Sequence, residues 1–160
     1  MLHYGVESWS QYAPDAEKLW PLHWAEIALD QEHIPLEVDM DRYAALDAAG
    51  RLHIVTARED TGRVQGAVRE DPLQGYVLYV VMGHLHYKST LHAMMDVLYL
   101  SPAHRKGLAG YRLLTLAERT LRERGVKKML MGGKTHYDIA ALYARLGYTE
   151  IERHFSKLLL

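Results

Sequence analysis

The sequence predicts an α+β fold, built as one domain around a central sheet. Its 160 residues are close to the ~150 residues of one compact domain, so we expect a single domain spanning residues 1–160. Hydrophobic residues make up 49% and charged residues 24% of the chain, as is typical of a globular protein. Segments with helical apolar spacing lie before and after a run of β-rich segments, without an internal repeat, and this order favours the α+β class.

Two helices are predicted in the first 50 residues. Apolar residues recur at helical spacing from Ala13 to Asp30, and Pro14 stands early, where a first-turn proline is tolerated. A shorter helix starts at Asp39–Asp41, continues through an alanine-rich segment and stops at Gly50.

The middle of the chain has the composition of a sheet. Four strands are predicted there: Leu52–Arg58, Val64–Arg69, Tyr76–His86 and His92–Leu100. The polar segment Lys88–Thr90 is typical of a turn, so we expect the last two strands to form an antiparallel hairpin around it.

The last third of the chain alternates between helix and strand. The predicted elements are a helix at Leu108–Arg124, a strand at Val126–Met131, a helix at Asp138–Leu146 and a final strand at Tyr148–Phe155. Gly125 and Gly147 directly follow the two helices, where glycine commonly ends a helix.

Composition excludes several classes of function. The formal net charge is -1, from 19 Lys and Arg against 20 Asp and Glu, so nothing in the overall charge favours nucleic acid as a partner. The absence of cysteine excludes disulfides, thiolate metal sites and a cysteine nucleophile. No basic leader or membrane-length apolar run is seen, so we expect a cytoplasmic protein without membrane contact.

A basic, glycine-containing loop joins a predicted strand to the long helix at Leu108. Its residues are His104-Arg105-Lys106-Gly107-Leu108-Ala109-Gly110. Free backbone N–H groups at a helix start, together with the helix dipole, bind phosphate. The alternative is a turn whose glycines only pack the helix on the sheet.

This loop resembles a signature of the GNAT superfamily of N-acetyltransferases, [Gln/Arg]-x-x-Gly-x-[Gly/Ala] after a strand and an x-Pro step. A second GNAT motif, Leu-Tyr-x-x-Leu-Gly-[Phe/Tyr], matches Leu142–Tyr148. The resemblance covers the chain from about Leu52 onward. It implies the GNAT fold, a mixed and mostly antiparallel sheet flanked by helices, and acetyl-CoA as cofactor.

The resemblance also implies where the cofactor binds. The thioester would lie on the strand Asp96–Leu100 and the pyrophosphate on the loop that follows. The expected cofactor-binding residues are Leu98, Tyr99, Leu100, His104, Arg105, Lys106, Gly107, Leu108, Ala109, Gly110 and His136. Two of them depart from the family pattern: His104 replaces the usual Gln or Arg, and His136 replaces a common Asn.

Two catalytic roles follow from the resemblance. Tyr143, at the family's tyrosine position, would protonate the departing thiolate, and backbone N–H groups would stabilise the oxyanion. Asp96 would deprotonate the amine directly or through water. The alternatives are core packing for Tyr143 and a solvated strand carboxylate for Asp96.

Histidines mark the predicted hairpin. Regular alternation puts Ala93, Met95, Val97 and Tyr99 on one face, and His92, Met94, Asp96 and Leu98 on the other. If His86 pairs with His92, then His84, His86, His92 and Asp96 share one face and would line the acceptor side. A proton relay, acceptor binding, a zinc site and an ordinary polar face all remain open, and we expect no metal.

Residues before the sheet could also touch the acceptor. His23 and Glu26 lie one helical turn apart, on either the acceptor pocket or a solvated face. Trp20 and Trp24 are more typical of helix packing than of a substrate platform.

The resemblance predicts an enzyme that acetylates a primary amine of a small molecule or a protein. The alternative is a non-catalytic acyl-CoA sensor or protein-interaction module, and a homodimer is open in either case. The step His84-Leu85-His86-Tyr87 also resembles one in small acetyltransferases of bacteriophages.

Overall fold

The fold is a five-stranded sheet with helices on both faces. The computed structural model describes residues 1–62, 64–65, 68–69 and 71–159. None of the described helices is long and apolar enough to cross a membrane.

The elements in chain order are β1 (Leu2–Glu7), α1 (Trp9–Ala16), α2 (Trp20–Ile27), α3 (Met40–Ala48), β2 (Leu52–Glu59), β3 (Val64–Gln65), β4 (Val68–Arg69), β5 (Leu73–His84), β6 (Tyr87–Leu100), a 3-10 turn (Pro102–His104), α4 (Ala109–Glu123), β7 (Val126–Leu130) and α5 (Ala140–Arg145). The sheet has the order β1-β2-β5-β6-β7, and β3 pairs with β4 in a separate two-stranded sheet. All neighbours in the main sheet are antiparallel except β6 and β7, which are parallel. This arrangement confirms the predicted α+β class and the mixed, mostly antiparallel sheet.

Each face of the sheet has its own apolar core. On one face α4 buries Leu113, Leu114, Ala117 and Leu121 against Val55, Val77, Tyr79 and Ala93. On the other face α1 packs Trp9, Tyr12 and Ala16 against Ile54, Tyr76 and Leu78. Both clusters are almost closed to solvent, so the sheet is fixed from two sides.

The elements before α3 differ from the prediction. The strand β1 was not predicted, and the long helix expected at Ala13–Asp30 is two helices. Ser8 caps α1 reciprocally with Gln11, so this helix already begins at Trp9 and Pro14 lies inside it. Pro21, near the start of α2, has no N–H to continue α1, which explains the break before Trp20.

The predicted hairpin turn at Lys88–Thr90 is wrong. The chain turns at Leu85 and His86, and His84 pairs with Tyr87. The partner of His92 is therefore Met82 and not His86. The polar residues after Tyr87 lie in an exposed part of β6, where hydrophilic side chains are compatible with a strand.

A β-bulge corrects the predicted faces of β6. Leu78 pairs with Val97 and Tyr79 with Met95, so Asp96 is the extra residue. Before the bulge, Ala93 and Met95 pack toward α4, whereas Val97 and Tyr99 pack on the opposite face. The expectation that these four residues share one face is wrong, because the extra residue reverses the alternation.

The final predicted strand is also absent. Residues 148–159 form neither helix nor strand, and the Phe155 side chain is 94% exposed. A strand needs hydrogen-bonding partners as well as alternating apolar residues, and this segment has none of the ladder pairs described for the sheet.

Candidate active site

The loop between β6 and α4 has free backbone donors. Gly107 has φ +84°, a left-handed conformation that glycine adopts without strain. The N–H groups of Ala109, Gly110 and Tyr111 begin α4 and have no partner within the helix; the first bond back is from Arg112 N–H to Leu108 O, 2.9 Å. These donors and the positive end of the helix dipole suit an anion.

Gly110 also has a packing role. A Cβ at this position would lie 3.2 Å from Cδ2 of Leu142 in α5. The close approach of α4 and α5 therefore favours a small residue here. Helix packing explains Gly110 as well as anion binding does.

Arg105 is engaged within the protein. Its Nη2 donates to both carboxylate oxygens of Glu26 in α2, at 2.9 and 2.7 Å. Its Nε donates to Leu100 O at 2.6 Å, and its Nη1 donates to the Tyr137 hydroxyl. The guanidinium also lies over the ring of Tyr99, 5.6 Å from the centroid. Arg105 therefore ties the end of β6 to α2.

The two residues that depart from the family pattern, His136 and His104, lie near this ion pair and on the loop, respectively. His136 Nε2 is 3.3 Å from the backbone oxygen of Glu26. The His104 backbone N–H bonds Ser101 O at 2.9 Å, and its side chain is half-buried. Lys106 is exposed, so its ammonium is accessible to a ligand at the loop.

Tyr143 lies beside the point where β6 and β7 separate. Its hydroxyl donates to Gly132 O at 2.7 Å and is 3.7 Å from Sδ of Met95. Burial raises the pKa of Tyr143, so the phenol keeps its proton at neutral pH.

The strand edge next to Tyr143 is open. Parallel pairing between β6 and β7 runs from Leu91 to Met94, whereas β6 continues to Leu100. The described ladder thus leaves Met95–Leu100 paired only with β5, and backbone groups on the β7 side of this segment can meet an extended ligand.

Asp96, the bulged residue, lies on the predicted acceptor side. It accepts a hydrogen bond from the Tyr43 hydroxyl, and burial together with this carboxylate raises the pKa of Tyr43. Met95 packs toward α4 and is near Tyr143, while Asp96 lines a cavity bounded by α1–α3. The two predicted catalytic side chains therefore lie at neighbouring positions of β6: Asp96 itself, and Tyr143 next to Met95.

That cavity has a volume of about 730 Å³. Its aromatic lining residues are Trp9, Tyr12, Trp20, Trp24, Tyr43 and Tyr76. Trp9 stacks on Tyr43 with centroids 4.6 Å apart and on Trp20 at 6.0 Å. Trp9 and Tyr43 were not predicted as residues of a site, and Trp20 and Trp24 were assigned to helix packing. All three tryptophans of the chain lie in the first 24 residues, and this clustering was the available signal.

His23 is buried in the wall of the same cavity, with 5% of its surface exposed. Its Nδ1 is 3.0 Å from the Tyr76 hydroxyl, and its buried Nε2 has no hydrogen-bond partner among the described residues. Burial lowers the pKa of His23 to about 4, so the ring is neutral at pH 7. Glu26 pairs with Arg105 instead of lining the cavity.

The three hairpin histidines do meet, but away from the cavity. The ring of His84 lies 5.6 Å from that of His86 and 4.9 Å from that of His92. None of them lines the cavity that contains Asp96. In the part of the chain that the structure describes, no group of three or more His, Cys, Asp or Glu side chains could hold a metal ion.

Comparisons with known proteins agree with this geometry. A structure of an aminoglycoside acetyltransferase from an uncultured soil metagenomic sample, in complex with sisomicin, is 16% identical, with a TM-score of 0.69 over 99% of this chain and 97% of that chain. A GCN5-related N-acetyltransferase from Ralstonia eutropha is 16% identical, with a TM-score of 0.71 over 99% of both chains. A predicted acetyltransferase with acetyl-CoA from Clostridium acetobutylicum is 13% identical, with a TM-score of 0.66 over 99% and 96%. No curated protein sequence matches the chain.

The fold is that of acetyl-transferring enzymes. The model of the family described as "Acetyltransferase (GNAT) family" matches residues 9–148, and the chain belongs to this family.

Proposed function

We propose that the protein is an N-acetyltransferase that transfers an acetyl group directly from acetyl-CoA to a primary amine. The Met95–Asp96 segment of β6 carries this proposal, because Asp96 lines the cavity while its neighbour Met95 lies next to Tyr143. A general base and a general acid thus flank one short segment of strand.

The donor site in this proposal comprises the loop and the open edge of β6. The free N–H groups at the start of α4 and the exposed Lys106 suit a pyrophosphate. Along Leu98, Tyr99 and Leu100, backbone groups of alternate residues face the open edge and can meet an extended arm, although Leu100 O already accepts from Arg105 Nε. His104 and His136 flank this path and can donate hydrogen bonds. Arg105 contributes positive charge, partly neutralised by Glu26.

When bound, acetyl-CoA would supply an activated thioester, and the transfer would form a bond from the acetyl carbon to the amine nitrogen and break the carbon–sulfur bond. Asp96 takes the ammonium proton, directly or through a water, so that the nitrogen lone pair is free. Tyr143 would give its hydroxyl proton to the departing sulfur and regain one from the acylated nitrogen, which must lose its second proton to become an amide. Burial raises the pKa of Tyr143, so the phenol carries its proton before the transfer. Proton removal and proton supply thus lie on opposite sides of β6.

Other expectations stay predictions in this proposal. They include a domain spanning residues 1–160, a cytoplasmic location, a homodimer, a bacteriophage origin and acceptor contacts by His84, His86 and His92. None of these histidines lines the cavity that contains Asp96, so the proposed mechanism assigns them no step.

A titration of the purified protein with acetyl-CoA, followed by calorimetry, tests the donor site. We expect saturable one-to-one binding that Lys106→Ala weakens several-fold, while Lys88→Ala, an exposed lysine on β6, leaves it unchanged. Release of free CoA on addition of amines then tests catalysis, and the cysteine-free chain gives no background in a thiol assay. Binding without CoA release across an amine panel would establish the non-catalytic acyl-CoA module instead.

A further inference from the structure

The cavity beside Asp96 has a specific charge balance. Its charged lining residues are the carboxylates Glu37, Asp39 and Asp96 and the guanidiniums Arg42 and Arg51. Three negative and two positive groups leave one negative charge. Asp39 already caps α3 by accepting from Arg42 N–H at 2.9 Å. The lining is therefore suited to a single positive charge.

The rest of the lining is apolar and partly uncovered. Met82 and Met94 stand on neighbouring strands, 37% and 49% exposed, and Leu36 at the opposite side is 38% exposed. Trp24 is half-buried and adds an aromatic surface. Exposed methionines next to aromatic rings form an adaptable surface for flat apolar groups.

We propose that the acceptor is a monoamine carried on an aromatic body, such as an arylalkylamine. Its ammonium pairs with Asp96, and its ring packs between Trp24 and the methionines of β5 and β6. This inference rests on the proposed function and specifies its amine.

Charge argues against a polycationic acceptor. A volume of about 730 Å³ accommodates a small molecule. Additional ammonium groups would exceed the single net negative charge of the lining, and the two exposed arginines, Arg42 and Arg51, would add repulsion that solvent screens in part. The aminoglycoside acetyltransferase compared above therefore shares this chain's fold and, by this inference, not its acceptor.

Intrinsic fluorescence provides a direct test, because all three tryptophans of the chain line the cavity. We would titrate the full-length protein with phenethylamine, with 2-phenylethanol, which lacks the ammonium, and with spermine, which lacks the ring. We expect a saturable change with phenethylamine at a Kd about tenfold or more below that of either analogue, since it alone offers both the charge and the ring.

Two variants separate the two halves of the inference. Asp96→Asn should bring the Kd values of phenethylamine and 2-phenylethanol close together, because only the ammonium loses its partner. Met94→Glu should raise the Kd of phenethylamine about tenfold and improve binding of spermine. The matched control is Leu85→Glu, which adds the same charge at a 98% exposed apolar residue outside the cavity and should change neither value.

The thiol assay distinguishes the two ways in which this could fail. CoA release with spermine or an aminoglycoside but not with phenethylamine would overturn the inference and leave the proposed function intact. Tight phenethylamine binding without CoA release would overturn the proposed function, and with it the role of this amine as an acceptor.

Discussion

Arg105 and Glu26 form a bidentate ion pair, although 79 positions separate them in the chain. The pair joins the loop before α4 to the end of α2, and so connects the predicted cofactor loop with a helix that borders the cavity beside Asp96. Both side chains are about 30% exposed, at 27% and 31%, so solvent screens the pair only partly.

We expect this pair to couple energetically. A double-mutant cycle with Arg105→Ala and Glu26→Gln should give a coupling of about 1 kcal/mol in the free energy of unfolding, measured by urea denaturation. A cycle on Arg153 and Glu150, an ion pair whose side chains are 81% and 69% exposed, is the control and should give a value near zero. Equal couplings in the two cycles would contradict a structural role for Arg105.

Gly75 and Gly83 provide a matched test of the β5–β6 packing. A Cβ on Gly75 would lie 2.5 Å from Leu100 Cδ1 and 2.9 Å from the backbone oxygen of Tyr99, whereas one on Gly83 would meet nothing within 4 Å. Gly75→Ala should therefore lower the free energy of unfolding by about 1–3 kcal/mol. Gly83→Ala, in the same strand, should change it by less than about 0.5 kcal/mol, and thermal or urea melts of both variants check the difference.

Local patterns were sufficient to predict most elements of the fold. The helices at α3 and α4 and the strands at β2 and β7 follow from apolar periodicity and from the glycines that end the helices. The glycine loop and the Tyr143 segment were found because their residues are contiguous in the sequence. The sequence therefore sufficed wherever one segment carries its own signal.

Long-range relationships could not be predicted. One extra residue at Asp96 reverses the faces of Val97–Leu100 at the end of β6, and no sequence pattern marks a bulge before its partner strand is known. The hairpin turn was misplaced because exposed polar residues suit a turn and a solvated strand equally. The ion pair of Glu26 with Arg105, and the assembly of Trp9 with Tyr43, depend on contacts between segments that are far apart in the chain.

The buried side chain of His53 should make the protein less stable to unfolding in acid. It is 3% exposed; its Nδ1 accepts from Arg124 at 2.9 Å, and its Nε2 donates to Thr120 Oγ1 at 2.8 Å. Burial and the guanidinium lower the pKa of His53 from 6.5 to about 4. Because the folded-state pKa lies below the unfolded one, the stabilisation is complete above pH 6.5 and is lost as the pH falls toward 4.

We expect His53 to lower the free energy of unfolding by about 2 kcal/mol between pH 7.5 and pH 5, because it binds a proton more readily in the unfolded chain than in the folded one. His53→Gln keeps a polar side chain without this titration and should reduce the fall over that range by about this amount, while the fall due to His23, whose pKa burial also lowers to about 4, remains. His33→Gln, which replaces an exposed histidine, is the control and should leave the profile unchanged. Urea denaturation across the pH range provides the measurement, and parallel profiles for the wild type and His53→Gln would refute the assignment.

Removal of the Tyr143 hydroxyl should lower turnover without weakening cofactor binding. Its hydroxyl meets Gly132 O and the Met95 sulfur, while its ring packs with the α4-side core. Tyr143→Phe keeps the ring and removes only the proton donor. We therefore expect kcat to fall by about 10²-fold or more, with the Kd for acetyl-CoA from calorimetry within about twofold of the wild type.

The control for this prediction is Tyr148→Phe, which removes a hydroxyl that lies 3.7 Å from Met129 Sδ in β7. Both rings are half-buried and lie 5.6 Å apart, so the two variants suffer similar packing changes. Only the loss at Tyr143 should lower kcat, because only that hydroxyl is next to Met95 at the β6 bulge. Equal turnover in the two variants would assign Tyr143 to packing, and proton supply to the sulfur would then have to come from solvent.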